Sequence, residues 1–460
     1  MAARSWITRI PHPLILLSGM IVFATILTQI VPAGSFERIA EGGRDIIIPG
    51  SYSNLDPSPV GFWGMFRAVP DGFAKALPVI FICFASAMLF AILERSRTIE
   101  RAVGALIYRL GTERAELILV LLTFIYGLLG VFVGYENNIA TIPIACVVVL
   151  ALGGDLVLAA GVAVGGMTAA FGLSPFNLYT VGVGHDLADM TKFSGWEFRS
   201  LLCFGALAIT AWFNLRYYRR LRAGKIESLA KGLDDSGFHF DPDQRQLSGK
   251  NWAMLLVFIG GLFMVIYGGL ELSWSINDMS ALFLIVTALL AIISRLSGRE
   301  IADASMKGVA QIAPATFIIG LASTISVILA QGQITDTISN GMAELLTGLP
   351  SQVSAVGMSV LQGGFNMLIP SGSGQAYATL PVMLPLGESL GLSQQITILA
   401  FQIGDGVTNL FNPSLGGLIA MLSLCRVPFD RWFRFVLPLV GTLLVWAWLG
   451  LVISVLIGWT

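Results

Sequence analysis

Residues 365–413, FNMLIPSGSGQAYATLPVMLPLGESLGLSQQITILAFQIGDGVTNLFNP, collect Ser, Gly, Asn and Gln inside an otherwise apolar chain. The stretch reads as helices interrupted by polar backbone, and the chain contains it twice. Gly134, Ala140-Thr141, Pro143, Leu152-Gly153, Gly166 and Pro175 are matched, 238 positions later and without a gap, by Gly372, Ala378-Thr379, Pro381, Leu390-Gly391, Gly404 and Pro413. Two ungapped copies make internal duplication the first feature to explain.

Composition sets the environment. Of 460 residues, 55% are hydrophobic and 12% charged, and the mean hydropathy is +0.79. Together with several runs long enough to span a bilayer, this places the chain among polytopic membrane proteins. The net charge of −1 matters less than which loops carry Lys and Arg. There is no basic stripe to engage nucleic acid. Cys83, Cys146, Cys203 and Cys425 form no CxxC pair and read as small buried hydrophobes. The histidines are placed in loops or at the N-terminus, and no HExxH, GxSxG or GxGxxG occurs in a working context, so an enzyme is not expected.

Charge then orients the chain. The run Pro13 to Val31 follows Arg4 and Arg9; it exceeds a signal-peptide core and reads as a retained first membrane helix. Residues 1–75 comprise that helix and an aqueous loop, Pro32 to Lys75, on the far side. Ala76 to Leu93 returns to Arg95, Arg97, Arg101, Arg109 and Arg114, a cluster that marks the cytoplasm. Thr98 to Leu110 carries apolar residues at helical spacing and reads as an interfacial helix.

The first copy occupies residues 76–218. Its apolar run to Val133 reaches Gly134-Tyr-Glu-Asn-Asn138 and continues only from Ile142 to Leu152. At 1.5 Å per residue that arm is about 16 Å long, half of a core near 30 Å, and cannot span. Residues 116–153 therefore form a re-entrant hairpin, with Pro143 in a first helical turn and Thr141 placed to cap it. A broken helix, 155–184, follows, interrupted from Gly165 to Asn177. Residues 219–251 are a cytoplasmic linker and 252–313 scaffold helices. The second copy, 314–460, holds a hairpin at 351–390 and a broken helix at 394–425, interrupted from Gly404 to Pro413; Ile334 to Leu346 is its interfacial helix.

Counting basic residues puts the two hairpins on opposite faces, with nine crossings, a cytoplasmic N-terminus and an extracytoplasmic C-terminus. The expectation is an all-α polytopic protein of the inner membrane, built from two inverted-topology repeats, each with a re-entrant helical hairpin and a broken transmembrane helix. That combination is the signature of alternating-access secondary transporters.

Unwound backbone in hydrocarbon leaves polar groups unpaired at several kcal/mol each, so it persists where protein, water or ligand satisfies it. The helix N-termini after the tips favour an anionic group, and carbonyls released at the breaks suit a cation. The candidate binding residues are Ser371, Gly372, Ser373, Gly374, Gln375 and Thr379 at the second tip, with Asn366 before it. Asp405, Asn409, Asn412 and Ser414 belong to the second break. Glu136, Asn137, Asn138 and Thr141 of the first tip, with Ser174 and Asn177 of the first break, are their counterparts. Any one of the amides also reads as packing glue between helices. An acid at bilayer centre costs about 2.5–3.5 kcal/mol, which singles out Glu136 and Asp405 to carry a coupling proton or hold a sodium ion. No other cofactor is called for. No Arg lies in the tips or breaks.

At NMLIPSGSGQA, FQIGDGVTNLFNPSLGG and VPAGSFER near residue 31 the chain resembles the YfcC/DcuC family of anaerobic four-carbon dicarboxylate carriers, in the ion transporter superfamily. The resemblance covers nearly the whole chain. It implies an elevator-type carrier, usually a homodimer, whose mobile hairpins and broken helices move against a fixed scaffold, and it implies that Ser371, Ser373, Gln375, Asp405, Asn409 and Asn412 fall in the matching tip and break. The first tip reads Glu136-Asn137-Asn138 where YfcC-type members have a Glu-Glu pair. The resemblance, with the helix N-termini at the tips, implies a small carboxylate-bearing substrate, a dicarboxylate or an amino acid. A passive facilitator of the same fold and a non-transporting membrane sensor or scaffold are the alternatives.

Overall fold

The computed structural model describes residues 13–41, 44–48, 50–99, 101–102, 105, 114–133, 139, 141–238, 246–270, 272 and 274–460. The first-tip candidates Glu136, Asn137 and Asn138 lie outside these residues, as does most of the expected interfacial helix 98–110.

The described chain is mostly helical. Helix α1, Pro13–Ile30, is followed by four short strands, β1 Gly34–Ser35, β2 Arg38–Glu41, β3 Arg44–Ile47 and β4 Ser53–Asn54. Then come α2 Phe62–Arg95, α3 Ala115–Val133 and α4 Ile142–Ala151. Helix α5, Leu156–Gly172, contains a π-helical turn at Gly161–Gly165; a second π-turn, Leu178–Gly182, leads into α6 Val183–Leu187. After these lie α7 Trp196–Arg222, α8 Gly249–Leu270, α9 Ile276–Ser294, α10 Gly298–Gln331 and α11 Thr335–Leu346. The chain ends with α12 Ser351–Leu368, α13 Gly372–Ser389, α14 Gln394–Thr408, α15 Gly416–Leu424 and α16 Phe429–Leu456. Among the described residues α2, α7, α9, α10 and α16 are long and apolar enough to cross a membrane.

Helices α2 and α10, each of 34 residues, form an antiparallel pair. Contact is close because small residues face it: a Cβ on Gly72 would lie 2.7 Å from the Thr324 nitrogen, and one on Gly308 2.6 Å from the Ala87 carbonyl oxygen. This corrects the reading of Pro32 to Lys75 as loop. Pro70 and Asp71 resemble loop punctuation, yet the chain is helical from Phe62, because Ala68, Gly72 and Ala76 supply a buried stripe of small residues for α10 to pack on.

The all-helical expectation also misses two antiparallel ladders, β1 with β4 and β2 with β3. In the latter Arg38-Ile-Ala-Glu41 pairs residue by residue with Arg44-Asp-Ile-Ile47; the Gly-Gly dipeptide between them is a hairpin signal that local reading could have used. Arg38 anchors this region by donating from one Nη to both Asp336 oxygens at 2.8 and 2.7 Å.

The helix order α3, α4, α5, interruption, α6 recurs as α12, α13, α14, interruption, α15. Helices α5 and α14 begin at 156 and 394, and the segments after the interruptions at 178 and 416, both pairs separated by the 238 positions found in the sequence. The interruptions themselves are shorter than expected. Helix α5 continues through Gly165 to Gly172, and α14 through Gly404 to Thr408. The glycines read as helix breakers instead admit neighbouring backbone. A Cβ on Gly406 would lie 2.1 Å from Gly172 Cα, and one on Gly404 2.4 Å from the Ser359 carbonyl oxygen. Asp405 consequently sits in a helical turn, not in unwound chain.

In the first hairpin Pro143 occupies the first turn of α4, but Thr141, at the capping position, makes no side-chain cap bond. Its carbonyl instead accepts from Tyr126 Oη at 2.6 Å, tying the two arms together. All four cysteines are free and buried.

A candidate site at the hairpin tip and the helix breaks

The end of α12 is stitched to the second break by amides. Asn366, fully buried, shares its Nδ2 protons among the Asp405 carbonyl oxygen at 2.9 Å, Thr408 Oγ1 at 2.8 Å and Asn409 Oδ1 at 2.7 Å. In return Asn412 Nδ2 donates to the Asn366 carbonyl at 2.9 Å, and Ser414 Oγ to that of Met367 at 2.8 Å. The first copy uses the same logic. Ser174, 238 positions before Asn412, donates from Oγ to the Val131 carbonyl at 3.0 Å. Asn177 caps the chain beyond the break, accepting from Tyr179 N at 2.9 Å and Thr180 N at 3.2 Å. These residues satisfy backbone freed by the interruptions, which makes a rigid frame of what sequence marks only as polar.

At the second tip Ser371 caps α13, its Oγ accepting from Gly374 N at 3.3 Å. One turn on, Gln375 Nε2 donates to the carbonyl and Oε1 of Gln362 at 2.8 and 2.7 Å, and Thr379 Oγ1 donates to the Gln375 carbonyl at 2.9 Å. The candidates therefore divide. Asn366, Gln375, Thr379, Asp405, Asn409, Asn412 and Ser414 are buried, whereas Ser371 and Gly374 are exposed and Gly372 and Ser373 half-buried.

The two copies meet here. A Cβ on Gly372 would lie 3.1 Å from the Thr180 methyl and 3.5 Å from Asp405 Oδ2. Gln402 Nε2 of α14 donates 2.7 Å to the Ser174 carbonyl. Asp405 is 1% exposed, and neither of its oxygens has a hydrogen-bond partner among the described residues; Thr180 Oγ1, Gln375 Oε1 and Asn366 Oδ1 share that condition. Buried oxygens that accept from nothing suit a proton on the carboxyl or a small cation among them.

In front of the tip lies a cavity of about 260 Å³, with Ser371, Gly372 and Ser373 on one side and Ser414 and Gly416 at the second break. Phe171 and Tyr179, flanking the first break, form another wall, and Ile319 and Ser323 of α10 with Lys75, Ala76 and Val79 of α2 close it. Thr141 is not among the residues lining it.

Sequence reasoning missed Lys75, Thr180, Gln362 and Gln402; for Gln402, between Phe401 and Ile403, the signal was a polar residue in an apolar helix. It also missed Arg199 and placed His185 in a loop. His185 lies in α6, fully buried; Nδ1 accepts from Phe193 N at 2.8 Å, so Nε2 carries the proton toward Gln395 Oε1 at 3.3 Å. Arg199, also fully buried, donates to Gln395 Oε1 at 2.6 Å and Gln402 Oε1 at 3.3 Å and lies over the Trp459 ring. It has no carboxylate partner among the described residues, and its effect is to clamp α7 onto α14.

An uncharacterized protein of Haemophilus influenzae is 28% identical over 90% of this chain and 82% of its own. The Escherichia coli protein named "Putative basic amino acid antiporter YfcC" is 26% identical over 96% of this chain and 95% of its own. Among solved structures, the Alcanivorax borkumensis YdaH transporter aligns with 98% of this chain and 99% of its own at TM-score 0.46 and 17% identity. The Neisseria gonorrhoeae efflux pump MtrF covers 97% of this chain and 95% of its own at 0.47 and 18%. The DcuC profile, described as C4-dicarboxylate anaerobic carrier, matches residues 10–456, and the chain therefore belongs to the DcuC family of membrane carriers.

Proposed function

We propose that this protein is a secondary carrier that couples movement of a small carboxylate-bearing metabolite, a dicarboxylate or an amino acid, to a proton or sodium ion. The observation that carries the reading is one cavity bounded by the second hairpin tip, both helix breaks and the paired helices α2 and α10, backed by the buried carboxylate of Asp405, which has no hydrogen-bond partner among the described residues. In this reading the two copies enter from opposite membrane faces, as the Arg clusters argue, and form a unit that slides against α2 and α10 as an elevator. A homodimer, as the family resemblance implies, anchors the fixed helices.

The test is uptake by protein reconstituted in liposomes. A four-carbon dicarboxylate or an amino acid accumulates above its outside concentration under an imposed pH or sodium gradient. Absence of both accumulation and counterflow across carboxylates and amino acids contradicts the reading. Uptake that equilibrates and never exceeds the outside concentration identifies a passive facilitator instead.

The tip residues separate fold from binding. Ser371→Ala removes the α13 cap and lowers stability by about 1 kcal/mol, visible as a small drop in thermal midpoint. Ser373→Ala removes no hydrogen bond within the described structure; it leaves the midpoint unchanged and weakens substrate binding severalfold in a thermal-shift titration.

A further inference from the structure

Helices α7 and α16 pack antiparallel. Toward one end Trp446 Nε1 donates to the Leu202 carbonyl at 2.9 Å; toward the other Phe435 meets Phe213 and Tyr217 edge-on, with ring centroids 5.2 and 5.0 Å apart. At that second end a cavity of about 780 Å³ opens between the two helices, and Arg216, Arg220 and Arg434 all line it. Its volume is of the size that holds an organic ligand. Trp212, Pro438 and Thr442 wall it toward the middle of the helices, and Ile226 and Leu229, from the chain that follows α7, close it beyond their ends.

The charges in this space are not balanced by the protein. Neither Arg216 nor Arg220 has an ion pair among the described residues, and the Arg216 guanidinium lies 5.4 Å from the centre of the Trp212 ring. The acid in the lining, Glu227, is engaged by Lys231 at 2.5 Å. Of the acids just behind, Asp155 accepts from Tyr217 Oη and Ser228 Oγ at 2.8 and 2.7 Å, and Asp430 stands 3.9 Å from Arg434. Positive-inside topology accounts for basic residues at this level of the membrane. It does not require three of them, from two helices, to converge on one cavity.

The cavity also continues as an apolar furrow. From Pro438 and Thr442 the face of α16 runs on at helical spacing to Val445 and Leu449, each more than half exposed, and Trp212 and Leu201 of α7 are exposed to the same degree. Guanidinium groups at one end, a tryptophan at the junction and bare hydrocarbon beyond match the three zones of a lipid, from headgroup through interface to acyl chain. A free phosphate or a nucleotide matches the first zone alone. Arginine's planar fork suits phosphate oxygens in particular.

We infer that this cavity binds an anionic phospholipid, with its phosphate held by Arg216, Arg220 and Arg434 and an acyl chain laid along α16 past Thr442. The inference is independent of what the protein carries. Such a lipid fastens the end of α7 to the start of α16 at a point where the protein leaves three cations facing one another.

The experiment titrates the full-length protein in mild detergent with phosphatidylglycerol or with phosphatidylcholine of the same chains, and reads bound lipid by native mass spectrometry. Wild type is expected to bind phosphatidylglycerol at least fivefold more tightly. Replacing Arg216, Arg220 and Arg434 together with Gln reduces that preference to less than twofold, whereas replacing Arg222, Lys225 and Arg299 with Gln, an equal loss of charge outside the cavity, keeps it. Thr442→Trp fills the furrow without altering charge and weakens phosphatidylglycerol binding at least fivefold, with an unchanged elution profile. Equal binding of the two lipids by wild type overturns the inference, as does an undiminished preference in the triple Gln variant of the cavity. Glycerol 3-phosphate that competes at the concentration of the lipid shows a soluble phosphate site and overturns it as well. Disulfide cross-linking of Thr442→Cys to its counterpart in native membranes assigns the face to a second copy of the chain, with the same consequence.

Discussion

Asp405→Asn abolishes gradient-driven accumulation: in liposomes under an imposed ion gradient, uptake falls at least tenfold, while exchange of substrate between equal ion concentrations continues. The side chain is nearly isosteric, so the change isolates charge from shape. In the native protein both carboxylate oxygens are buried and unpartnered among the described residues, beside Thr180 and the Gly372 tip. An ionised carboxylate held there without a counter-ion is costly, so a proton or cation must accompany it in any state that moves. Asparagine is permanently neutral and needs no companion, which removes the link between ion and substrate while leaving the hairpin frame in place. A tenfold loss corresponds to about 1.4 kcal/mol of coupling. Full accumulation by Asp405→Asn assigns coupling elsewhere, and Glu136, the acid that the sequence places at the first tip, is then the next candidate.

Gly406→Val is expected to prevent formation of the folded protein. A Cβ at 406 lies 2.1 Å from Gly172 Cα and 2.6 Å from its carbonyl oxygen, backbone on both sides, in helices that the two copies contribute separately. No flexible side chain can yield, so α5 and α14 must separate, at a cost of about 3 kcal/mol or more. The expected result is loss of the monodisperse elution peak in detergent. Gly364→Ala is the control: a Cβ there meets nothing within 4 Å, and the variant is expected to behave as wild type or slightly better, since alanine favours the helical state. A well-folded Gly406→Val contradicts the close crossing of α5 and α14.

Much of this arrangement was legible in the sequence for one physical reason: polar backbone is so unfavourable in hydrocarbon that Ser371-Gly-Ser-Gly-Gln375 and Asn409 to Ser414 stand out against their surroundings. The 238-residue offset also carried to the helix starts at 156 and 394. Where reading failed, one residue type served two purposes. Gly166, Gly404 and Gly406 read locally as interruptions, but each lies against neighbouring backbone; glycine inside a membrane helix as readily admits a neighbouring helix, and only three-dimensional packing tells these apart. Phe62 to Lys75 reads as loop because its prolines and charges are local signals, whereas its helicity comes from packing on α10. Gln362 and Gln402 carry no decisive local signal, because the meaning of a buried amide depends on what lies across from it. Asn366 and Asn412 read equally as ligands or as glue between helices, and the structure gives them and Ser174 hydrogen bonds to the chain itself.

The most direct test of alternating access at this cavity is side-specific labelling of Ser373→Cys in sealed vesicles with a membrane-impermeant thiol reagent, under opposed substrate and ion gradients. The account predicts that the thiol is reached from one face under one gradient and from the other face when the gradients are reversed. Labelling from a single face under every condition would contradict it.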